Sequence, residues 1–248
     1  MSRIVSIHSF RGGTGKSNIL SNIAYRTAEK GLRIGVVDND VQSPGMSVIF
    51  GLDRKEIHHC LNDFLSGDCS ISEAAYDVSK SLGLTEKSLY LIPSSLKAND
   101  IAEILKRGID FARLSKGFTE LTEALRLDRL LIDTHPGIEN ETLLCIALCD
   151  LLLIVLRPDE QDYLGTAIAV EVAKRLGVAE MGLVVNRVPA QVDADALRKR
   201  VAAAYDVPLL GILPFSMSLM LNASKNVFVR GNPKDPFSEG IFTLAELI

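Results

Sequence analysis

One stretch decides the fold class: His8-Ser9-Phe10-Arg11-Gly12-Gly13-Thr14-Gly15-Lys16-Ser17. An apolar strand candidate, residues 4–7, precedes it, and a segment with helical spacing, residues 18–30, follows it directly. Glycines in such a turn let consecutive backbone N–H groups point at phosphate oxygens, and the start of the helix adds positive potential. Lys16 supplies a flexible cation for the β- and γ-phosphates, and Ser17 supplies a hydroxyl ligand for magnesium. The stretch therefore predicts a loop that binds a nucleotide.

Short apolar segments along the rest of the chain predict strands that are buried on both faces. Continuous apolar runs of this kind are expected where helices cover both sides of a mostly parallel sheet. The strand candidates are residues 4–7, 34–37, 89–92, 130–132, 151–156, 183–185 and 209–213, and the main helix candidates between them are residues 18–30, 112–125, 161–176 and 194–205. The predicted fold class is α/β, with a mostly parallel, doubly wound sheet and helices on both faces.

Length and composition predict a single domain over residues 1–248. The chain is 47% hydrophobic, which is enough to bury a substantial core, and no linker, low-complexity tract or internal repeat divides it. Residues 51–87 are less regular, with short helix candidates at 56–65 and 71–75, and we expect an excursion beside the nucleotide site. The formal net charge of -4 argues against a uniformly basic surface but leaves a local basic face open.

Targeting signals and cysteine usage point to a cytoplasmic protein. The N-terminal residues run directly into a strand candidate and lack the features of a secretory signal, and no apolar run is long enough to span a bilayer. The four cysteines form no disulfide framework for a chain of this size, which suits a reducing compartment. We expect Cys145 and Cys149 to be buried structural thiols, with a metal or redox pair as the alternative.

Carboxylates stand at the ends of two strand candidates. Asp38 and Asp40 end the second candidate, and Asp133 ends the fourth. Open parallel sheets bind ligands at the carboxyl ends of their strands, so Asp38 and Asp40 can face the γ-phosphate and its water. Asp133 is placed like a Walker B carboxylate and can organise magnesium through its water shell, while Gly137 permits close approach of the backbone to the γ-phosphate.

Two further polar residues near strand ends have different expected roles. Asn186 follows the strand candidate at residues 183–185 and offers both a donor and an acceptor to the edge of a base. His135 lies two residues after Asp133, but no neighbour in the sequence pairs with it, so we expect an incidental loop histidine and not a catalytic base.

Together the loop and the acidic segments resemble the MinD/ParA family of P-loop ATPases. The deviant loop of that family reads K-G-G-x-G-K-[ST], and the segments D-x-D and D-x-x-x-G resemble its switch I and switch II. The resemblance runs from residue 4 to about residue 231, nearly the whole chain. Two positions depart from the patterns, because Phe10 replaces the first glycine of the general G-x-x-x-x-G-K-[ST] motif and Arg11 replaces the signature lysine.

The resemblance implies an ATPase that uses ATP and Mg²⁺ and switches between a monomer and a nucleotide-sandwich homodimer. In the family, the signature lysine reaches across the dimer to the partner's phosphates, which assigns that role to Arg11, resembling an arginine finger. The implied catalytic residues are Lys16, Asp40 and Arg11, with Asp40 positioning the attacking water, and the implied magnesium residues are Ser17, Asp38 and Asp133. The implied nucleotide-binding residues are Arg11, Gly12, Gly13, Thr14, Gly15, Lys16, Ser17, Asn18, Gly137, Asn186, Arg187 and Pro214.

Surface partners separate the members of this family. MinD ends in a basic helix that binds lipid, whereas residues 237–248 have apolar spacing and no Lys or Arg, so we expect a core helix there and no membrane partner. ParA-type members bind nucleoid DNA without sequence preference. The basic residues that can form such a face, or equally a solvated surface, are Lys174, Arg175, Arg198, Lys199, Arg200, Lys225 and Arg230. Residues 157–162 form either part of the dimer interface or a plain strand-helix connection.

The expected function is that of a ParA-like positioning ATPase, cytoplasmic and associated with the nucleoid. ATP-bound dimers would hold non-specific DNA, and a cargo-bound protein would stimulate an otherwise slow hydrolysis. Carboxysome-distributing members also lack the signature lysine, which makes them one match. The alternatives are a MinD-like regulator of division or flagellar placement, a metabolic ligase of the dethiobiotin-synthetase kind, and an ATP-gated regulator without turnover. The cysteines lack the C-P-x-C pattern of iron-sulfur scaffold relatives.

Overall fold

The computed structural model, which describes residues 2–97, 99–102, 108 and 110–248, contains one eight-stranded sheet. The strands are β1 (Arg3–His8), β2 (Ile34–Asn39), β3 (Tyr76–Asp77), β4 (Leu89–Ile92), β5 (Arg129–Thr134), β6 (Leu151–Leu156), β7 (Glu180–Val188) and β8 (Leu209–Pro214). Their order in the sheet is β3-β4-β2-β5-β1-β6-β7-β8, and every neighbouring pair is parallel except β3 with β4. Each of the seven predicted strands lies within an observed one.

Helices cover both faces of the sheet, as the predicted fold class requires. They are α1 (Lys16–Glu29), α2 (Met46–Ile49), α3 (Leu61–Ser66), α4 (Phe111–Ala124), α5 (Asn140–Leu148), α6 (Glu160–Arg175), α7 (Ala194–Ala204), α8 (Met217–Asn222), α9 (Phe228–Gly231) and α10 (Pro236–Leu247). On one face, α1 and α10 share a core with alternate strand residues. On the other face, α4 and α5 pack beside α6 and α7 over two further apolar clusters. The prediction of an α/β doubly wound sheet is confirmed.

Aspartates fix the starts of four of these helices. The side chains of Asp110, Asp159, Asp193 and Asp235 each accept a hydrogen bond from a backbone N–H in the first turn of α4, α6, α7 and α10, respectively. An aspartate at this position satisfies donors that the helix itself leaves unpaired and also favours the positive end of the helix dipole. The strand-helix connections are therefore set locally, by residues that can be read from the sequence.

The region of residues 51–87 differs from its prediction. One helix was expected at residues 56–65, but the structure has a 3-10 turn at Arg54–Glu56 followed by the separate helix α3. Residues 71–75 form a turn instead of the expected helix. After this turn the chain forms β3, which pairs antiparallel with β4 and was not predicted. The hydroxyl of Tyr76 accepts hydrogen bonds from the N–H groups of His58 and His59. This long-range contact fixes the edge strand, and a two-residue strand leaves no periodicity in the sequence.

The C-terminal segment is a core helix, as expected. Phe237, Ile241 and Leu244 of α10 are fully buried, and they pack in the cluster that contains α1. Over the part of the chain that the structure describes, none of the helices combines the length and the apolar character needed to cross a bilayer.

The sheet order brings the predicted site residues to one edge. Strand β1, which leads into the glycine-rich loop, lies between β5 and β6, and β2 lies on the other side of β5. Because these strands are parallel, their carboxyl ends share an edge, and Asp38 of β2 is the direct neighbour of Asp133 of β5.

Candidate functional site

The glycine-rich loop joins β1 to α1 through two residues with left-handed backbones. Gly13 has φ 76° and Gly15 has φ 98°, which is a conformation that favours glycine. Gly15 is the N-cap of α1, and its carbonyl accepts the N–H of Ile19 at 3.0 Å. A Cβ atom on Gly15 would lie 2.5 Å from Nδ2 of Asn186, so no other residue fits there. The loop thus presents the free N–H groups of a helix start, which attract an anion.

Lys16 and Ser17 open α1 beside the two strand-end carboxylates. Lys16 is only 6% exposed and lines a cavity above the loop. The Oγ atom of Ser17 donates to Oδ2 of Asp133 at 2.5 Å. Asp133 is 1% exposed, and its other oxygen, Oδ1, is buried without a hydrogen-bond partner among the described residues.

Asp38 resembles Asp133 in that one carboxylate oxygen accepts hydrogen bonds and the other has no partner in the described part of the chain. Its Oδ2 accepts the N–H groups of Gly45 and Met46 at 3.1 and 3.0 Å, while Oδ1 is buried and finds no partner among the described residues. Buried polar atoms are nearly always paired, so two unpartnered carboxylate oxygens on neighbouring strands are suited to bind a cation. Carboxylate oxygen is the ligand type that Mg²⁺ prefers, and the residues present fit that ion.

The pKa values of both carboxyl groups are raised, because each group is buried and has an oxygen without a hydrogen-bond partner among the residues described. Burial raises the pKa of Asp38 to about 8, and the charge of Asp133 adds to the effect. Burial also raises the pKa of Asp133 to about 6, although Lys16 and the hydrogen bond from Ser17 oppose the rise. A divalent cation would remove this penalty because it favours the ionised form of both groups.

Asp40 bonds to a histidine from the neighbouring loop, so the expectation that His135 has no partner was wrong. Nδ1 of His135 lies 2.8 Å from Oδ1 of Asp40, and the N–H of Ser43 donates to the same oxygen at 3.0 Å. The two residues are 95 positions apart and meet only because β2 and β5 are adjacent in the sheet. Sequence spacing carries no signal for such a contact.

Two hydrogen bonds tie the surrounding loops to the glycine-rich loop. The N–H of Gly137 donates to the carbonyl of Ser9 at 3.1 Å, and Gly137 has φ 94°. Nδ2 of Asn186 donates to the carbonyl of Thr14 at 2.7 Å. Asn186 therefore supports the loop from the side of β7, which is a contact that the base-recognition prediction did not include.

Two adjoining cavities lie along this edge. The first, of about 370 Å³, is lined by the loop and both acidic segments: Gly12, Gly13, Gly15, Lys16, Ser17, Asn18, Asp40, Ser43, Gly45, Ile49, His135, Pro136, Arg187 and Ser224. The second, of about 260 Å³, is lined by Gly15, Asn18, Asn186, Arg187, Pro214, Phe215, Ser216, Leu219, Met220, Ala223 and Ser224. Both are lined by Gly15, Asn18, Arg187 and Ser224, so phosphates in the first cavity would continue into a nucleoside in the second.

The second cavity includes residues that the sequence did not single out. Phe215 and Met220 are exposed apolar side chains on its wall, and Asn18 donates through Nδ2 to Oγ of Ser224 at 3.0 Å. Arg187 has φ 59°, in the left-handed region that a non-glycine residue seldom adopts. The short helix α8 and the turn after it carry no sequence motif that indicates a binding site. The one local feature that the sequence offers is Ser216, a residue type that favours the start of a helix.

Arg11 lies at the rim of the loop against an acidic pair. Its Nη1 lies 3.4 Å from Asp162 and 3.6 Å from Asp159, and its side chain is 40% exposed. Asp162 is nearly buried and also accepts two hydrogen bonds from the guanidinium of Arg157, at 2.9 Å each. Burial alone would raise the pKa of Asp162, but Arg157 and Arg11 lower it overall. Residues 157–162 thus form a strand-helix connection that also contacts the loop.

Phe10 fixes the entry to the loop by an apolar contact with α6. A Cβ atom on Gly165 would lie 2.2 Å from Cδ1 of Phe10, so the ring occupies the space that the glycine leaves open. The departure from the general motif at residue 10 is therefore compensated by a glycine on the neighbouring helix.

The cysteines of the fifth helix region are buried, as expected. Cys145 is fully buried in α5, Cys149 lies just after the end of that helix, and burial raises the pKa of both thiols. Within residues 2–97, 99–102, 108 and 110–248, no group of three or more His, Cys, Asp or Glu side chains is arranged to hold a metal ion. A magnesium ion at Ser17 and the two aspartates would therefore need phosphate and water ligands, which is usual for this ion.

The strand, glycine-rich loop and helix, with carboxylates on the adjacent parallel strands, define a P-loop nucleotide-binding protein. A family model described as ParA, NUBPL iron-transfer P-loop NTPase, matches residues 1–248. The chain belongs to the ParA/MinD family of P-loop NTPases, whose members are ATPases that use ATP and Mg²⁺.

Individual relatives are distant but cover most of the chain. An uncharacterized ATP-binding protein of Methanocaldococcus jannaschii is 28% identical over 86% of this chain and 75% of its own length. The flagellum site-determining protein YlxH of Helicobacter pylori is 27% identical over 99% of this chain and 81% of its own length. The septum site-determining protein MinD of Pyrococcus horikoshii, complexed with Mg-ADP, superposes with a TM-score of 0.83 at 23% identity and covers 100% of this chain and 96% of that chain.

Proposed function

We propose that this chain is a switch ATPase that binds Mg-ATP, forms a nucleotide-sandwich homodimer and positions an intracellular cargo. Its dimers would hold nucleoid DNA, and a cargo-bound protein would stimulate a slow hydrolysis and release them. Residues 1–248 would act as one ATPase domain in the cytoplasm. The observation that carries the proposal is that Lys16, Ser17 and Asp40 line the first cavity, while Asp133 is bonded to Ser17 and Asp38 is its neighbour on the adjacent strand.

Each of those five groups has a proposed role. Lys16 would bind the β- and γ-phosphates, and Ser17 would bind Mg²⁺ directly. Asp38 and Asp133 would hold the ion by accepting hydrogen bonds from its bound waters at their unpartnered oxygens. Asp40, which lines the cavity, would position the attacking water.

The remaining residues would bind the rest of the nucleotide. The loop residues Gly12, Gly13, Thr14, Gly15 and Asn18 would surround the phosphates, with Gly137 near the γ-phosphate. Asn186, Arg187 and Pro214, which line the second cavity, would border the base.

Arg11 would complete the site of a second copy. Its guanidinium is partly exposed at the rim of the loop, and its contacts to Asp159 and Asp162 are longer than those that Arg157 makes to Asp162. Arg11 can exchange partners at little cost, because its contact with Asp159 is exposed at both ends and Arg157 would still pair with the buried Asp162. Phosphates of a partner's nucleotide would then replace the aspartates, as an arginine finger does.

The DNA face that we propose lies on α7 and nearby basic residues, three of which are held in ion pairs. Lys174 and Arg175 are ion-paired with Asp206 and Glu171, and Arg200 is ion-paired with Glu160 while it stacks on Tyr163. The side chains of Arg198 and Lys199 are exposed on the same helix and enter no ion pair among the described residues. Arg198 and Lys199, together with Lys225, which is also exposed and has no ion pair among the described residues, are therefore the better candidates for phosphate contacts.

Some of the relatives support a positioning role, whereas another, from Clostridium perfringens, is an iron-sulfur cluster carrier protein. The Helicobacter pylori protein that matches 99% of this chain is a flagellum site-determining protein. Placement of a flagellar or other polar assembly is therefore the second candidate, with a protein surface in place of DNA. A ligase that couples ATP to a small acid remains the alternative from another class.

Light scattering with Mg²⁺ and ATP, ADP or no nucleotide tests the proposal, using Asp40→Ala to suppress turnover. We expect a dimer with ATP only, which then binds non-specific duplex DNA. The double variant Arg198→Ala/Lys199→Ala should still dimerise but lose DNA affinity, whereas the matched exposed pair Arg54→Ala/Lys55→Ala should not. An ATP-dependent dimer that ignores DNA would replace the nucleoid with a protein platform. A monomer in ATP would reject the switch and favour the metabolic enzyme.

A further inference from the structure

One carboxylate oxygen of Asp40 is fixed from two sides. Oδ1 accepts the N–H of Ser43, three residues along its own loop, at 3.0 Å, and it also bonds to Nδ1 of His135 at 2.8 Å. The first bond is local and belongs to the turn after β2. The second crosses to the loop that directly follows β5, the strand that carries Asp133. His135 therefore links the two acidic segments directly at the residue proposed to hold the water.

The backbone of His135 is itself held in place. Its carbonyl accepts the Oγ hydroxyl of Thr142, in the first turn of α5, at 3.1 Å. Two residues further on, the N–H of Gly137 is bonded to Ser9 next to the phosphate loop. A second contact joins the same two loops at the surface, where Nε2 of Gln42 donates to Glu139 at 2.7 Å. The imidazole is thus presented to Asp40 by a braced loop.

The remaining oxygen of Asp40 is left available. Oδ2 makes no hydrogen bond to any described residue, and the side chain, 12% exposed, lines the phosphate cavity together with His135. With Oδ1 occupied by two donors, Oδ2 is the atom that can accept a hydrogen bond from a water in the cavity. The Ser43 bond alone would leave the carboxylate free to rotate about its Cβ–Cγ bond, since carboxylate torsions are broad.

We propose that His135 is a positioning residue for hydrolysis. Its Nδ1–H donates to Oδ1 of Asp40 and so fixes the direction in which Oδ2 addresses the attacking water. This inference rests on the proposed ATPase function and on the role of Asp40 in it. In this role His135 acts through Asp40.

Steady-state ATP hydrolysis by wild-type protein, His135→Ala, His135→Asn and Asp40→Ala tests the inference. We expect His135→Ala to lower kcat by about 10- to 100-fold with KM within about twofold, because small misplacements of catalytic groups have effects of this size. His135→Asn should recover at least a third of wild-type kcat, because its amide places a donor near the position of Nδ1. Adding His135→Ala to Asp40→Ala should cause no further loss. The control His59→Ala removes an exposed histidine near Asp63, at 4.0 Å, and should leave kcat unchanged.

A second readout does not depend on turnover. Nitrogen-15 NMR of the histidine rings should find His135, identified by its absence in His135→Asn, with its proton on Nδ1, and this preference should disappear in Asp40→Ala. An unchanged kcat in His135→Ala, a loss that appears in KM alone, or a failure of asparagine to restore activity would each overturn the inference. ATP-dependent dimerisation and ATP hydrolysis, measured for the wild type and the His135 variants, separate the two proposals. A wild-type protein that neither dimerises nor hydrolyses ATP refutes the proposed function. If the wild type does both and the His135 variants hydrolyse ATP equally fast, this inference alone is refuted.

Discussion

Buried carboxylates at the same edge of the sheet differ in their hydrogen-bond partners and in the direction in which their pKa values are shifted. Asp38 and Asp133 each keep an oxygen without a partner among the described residues, and their pKa values are raised. Asp162 is equally inaccessible, but two arginine side chains and the backbone N–H of Arg157 donate to its carboxylate, and its pKa is lowered. The first pair forms what we call the cation site, and Asp162 with Arg157, Asp159 and Arg11 forms what we call the rim.

The difference separates groups that await a ligand from groups that shape the protein. A buried charge without a partner destabilises the fold, so its presence at a strand end points to binding. A buried charge in a complete hydrogen-bond network belongs to the scaffold, and its removal should harm folding first. Arg11 lies between these classes, because it shares the carboxylate of Asp162 while staying partly exposed.

The largest expected effect is that of Asp133→Asn in the cation site. ATP turnover should fall by about 100-fold or more, since an electrostatic group at a charged transition state contributes on that scale. The thermal midpoint of the nucleotide-free protein should stay the same or rise, because the change removes a buried charge that Lys16 and Ser17 compensate only in part. Turnover assays and thermal melts measure the two. A variant that melts lower and still hydrolyses ATP normally would place Asp133 with the scaffold. Asp206→Asn, at a fully exposed carboxylate, is the control.

The next largest effect should come from the rim. Arg157→Ala leaves Asp162 buried without its main partner and should reduce the free energy of unfolding by about 3 kcal/mol. Arg11→Ala removes a longer and more exposed contact to the same carboxylate and should cost at most about 1 kcal/mol. Urea unfolding of the two variants compares them directly. Light scattering should then find that Arg11→Ala, although folded, no longer dimerises with ATP. If both changes destabilised the protein equally, the proposal that Arg157 stabilises the fold whereas Arg11 is free to exchange partners would be wrong.

Stability of the nucleotide-free protein should fall as the pH rises from 6.5 to 8. In the folded state the pKa of Asp38 is about 8, above its ordinary value of 3.8, so the folded protein binds more protons than the unfolded chain in this interval. His8, whose pKa is lowered to about 3 chiefly by burial, affects stability only below its ordinary value of 6.5. The slope should approach about 1.4 kcal/mol per pH unit. Thermal melts across the interval should become flat in Asp38→Asn and in the presence of Mg-ADP. A slope that persists in Asp38→Asn would assign it to another group.

The smallest expected effect concerns the apolar contact beside the rim. Gly165→Ala forces a Cβ into the ring of Phe10 and should destabilise the fold by about 1–2 kcal/mol. Phe10→Ala in the same chain should recover part of the loss, which a double-mutant cycle by chemical denaturation would quantify. Additive effects of the two changes would mean that the ring moves aside freely. Gly231→Ala, where a Cβ meets nothing within 4 Å, is the matched control.

Much of the fold follows from local signals. Seven strands were predictable because apolar runs fill both faces of a parallel sheet, and the helices α6, α7 and α10 begin at aspartates that the sequence displays. The misjudged turn at residues 71–75 and the unexpected strand β3 depend on contacts from Tyr76 to residues 58 and 59. Short elements at a sheet edge are decided by such distant partners and not by propensity.

The sequence by itself determined the chemistry of the site: the glycine-rich loop, Lys16 with Ser17, and the carboxylates at strand ends, because each is a property of a few consecutive residues. Only the tertiary structure decided which of these groups meet. The pairings of His135 with Asp40, of Asn186 with Thr14 and of Arg11 with Asp162 join residues from different loops. Strand order creates these contacts, and a linear pattern does not encode which strands become neighbours.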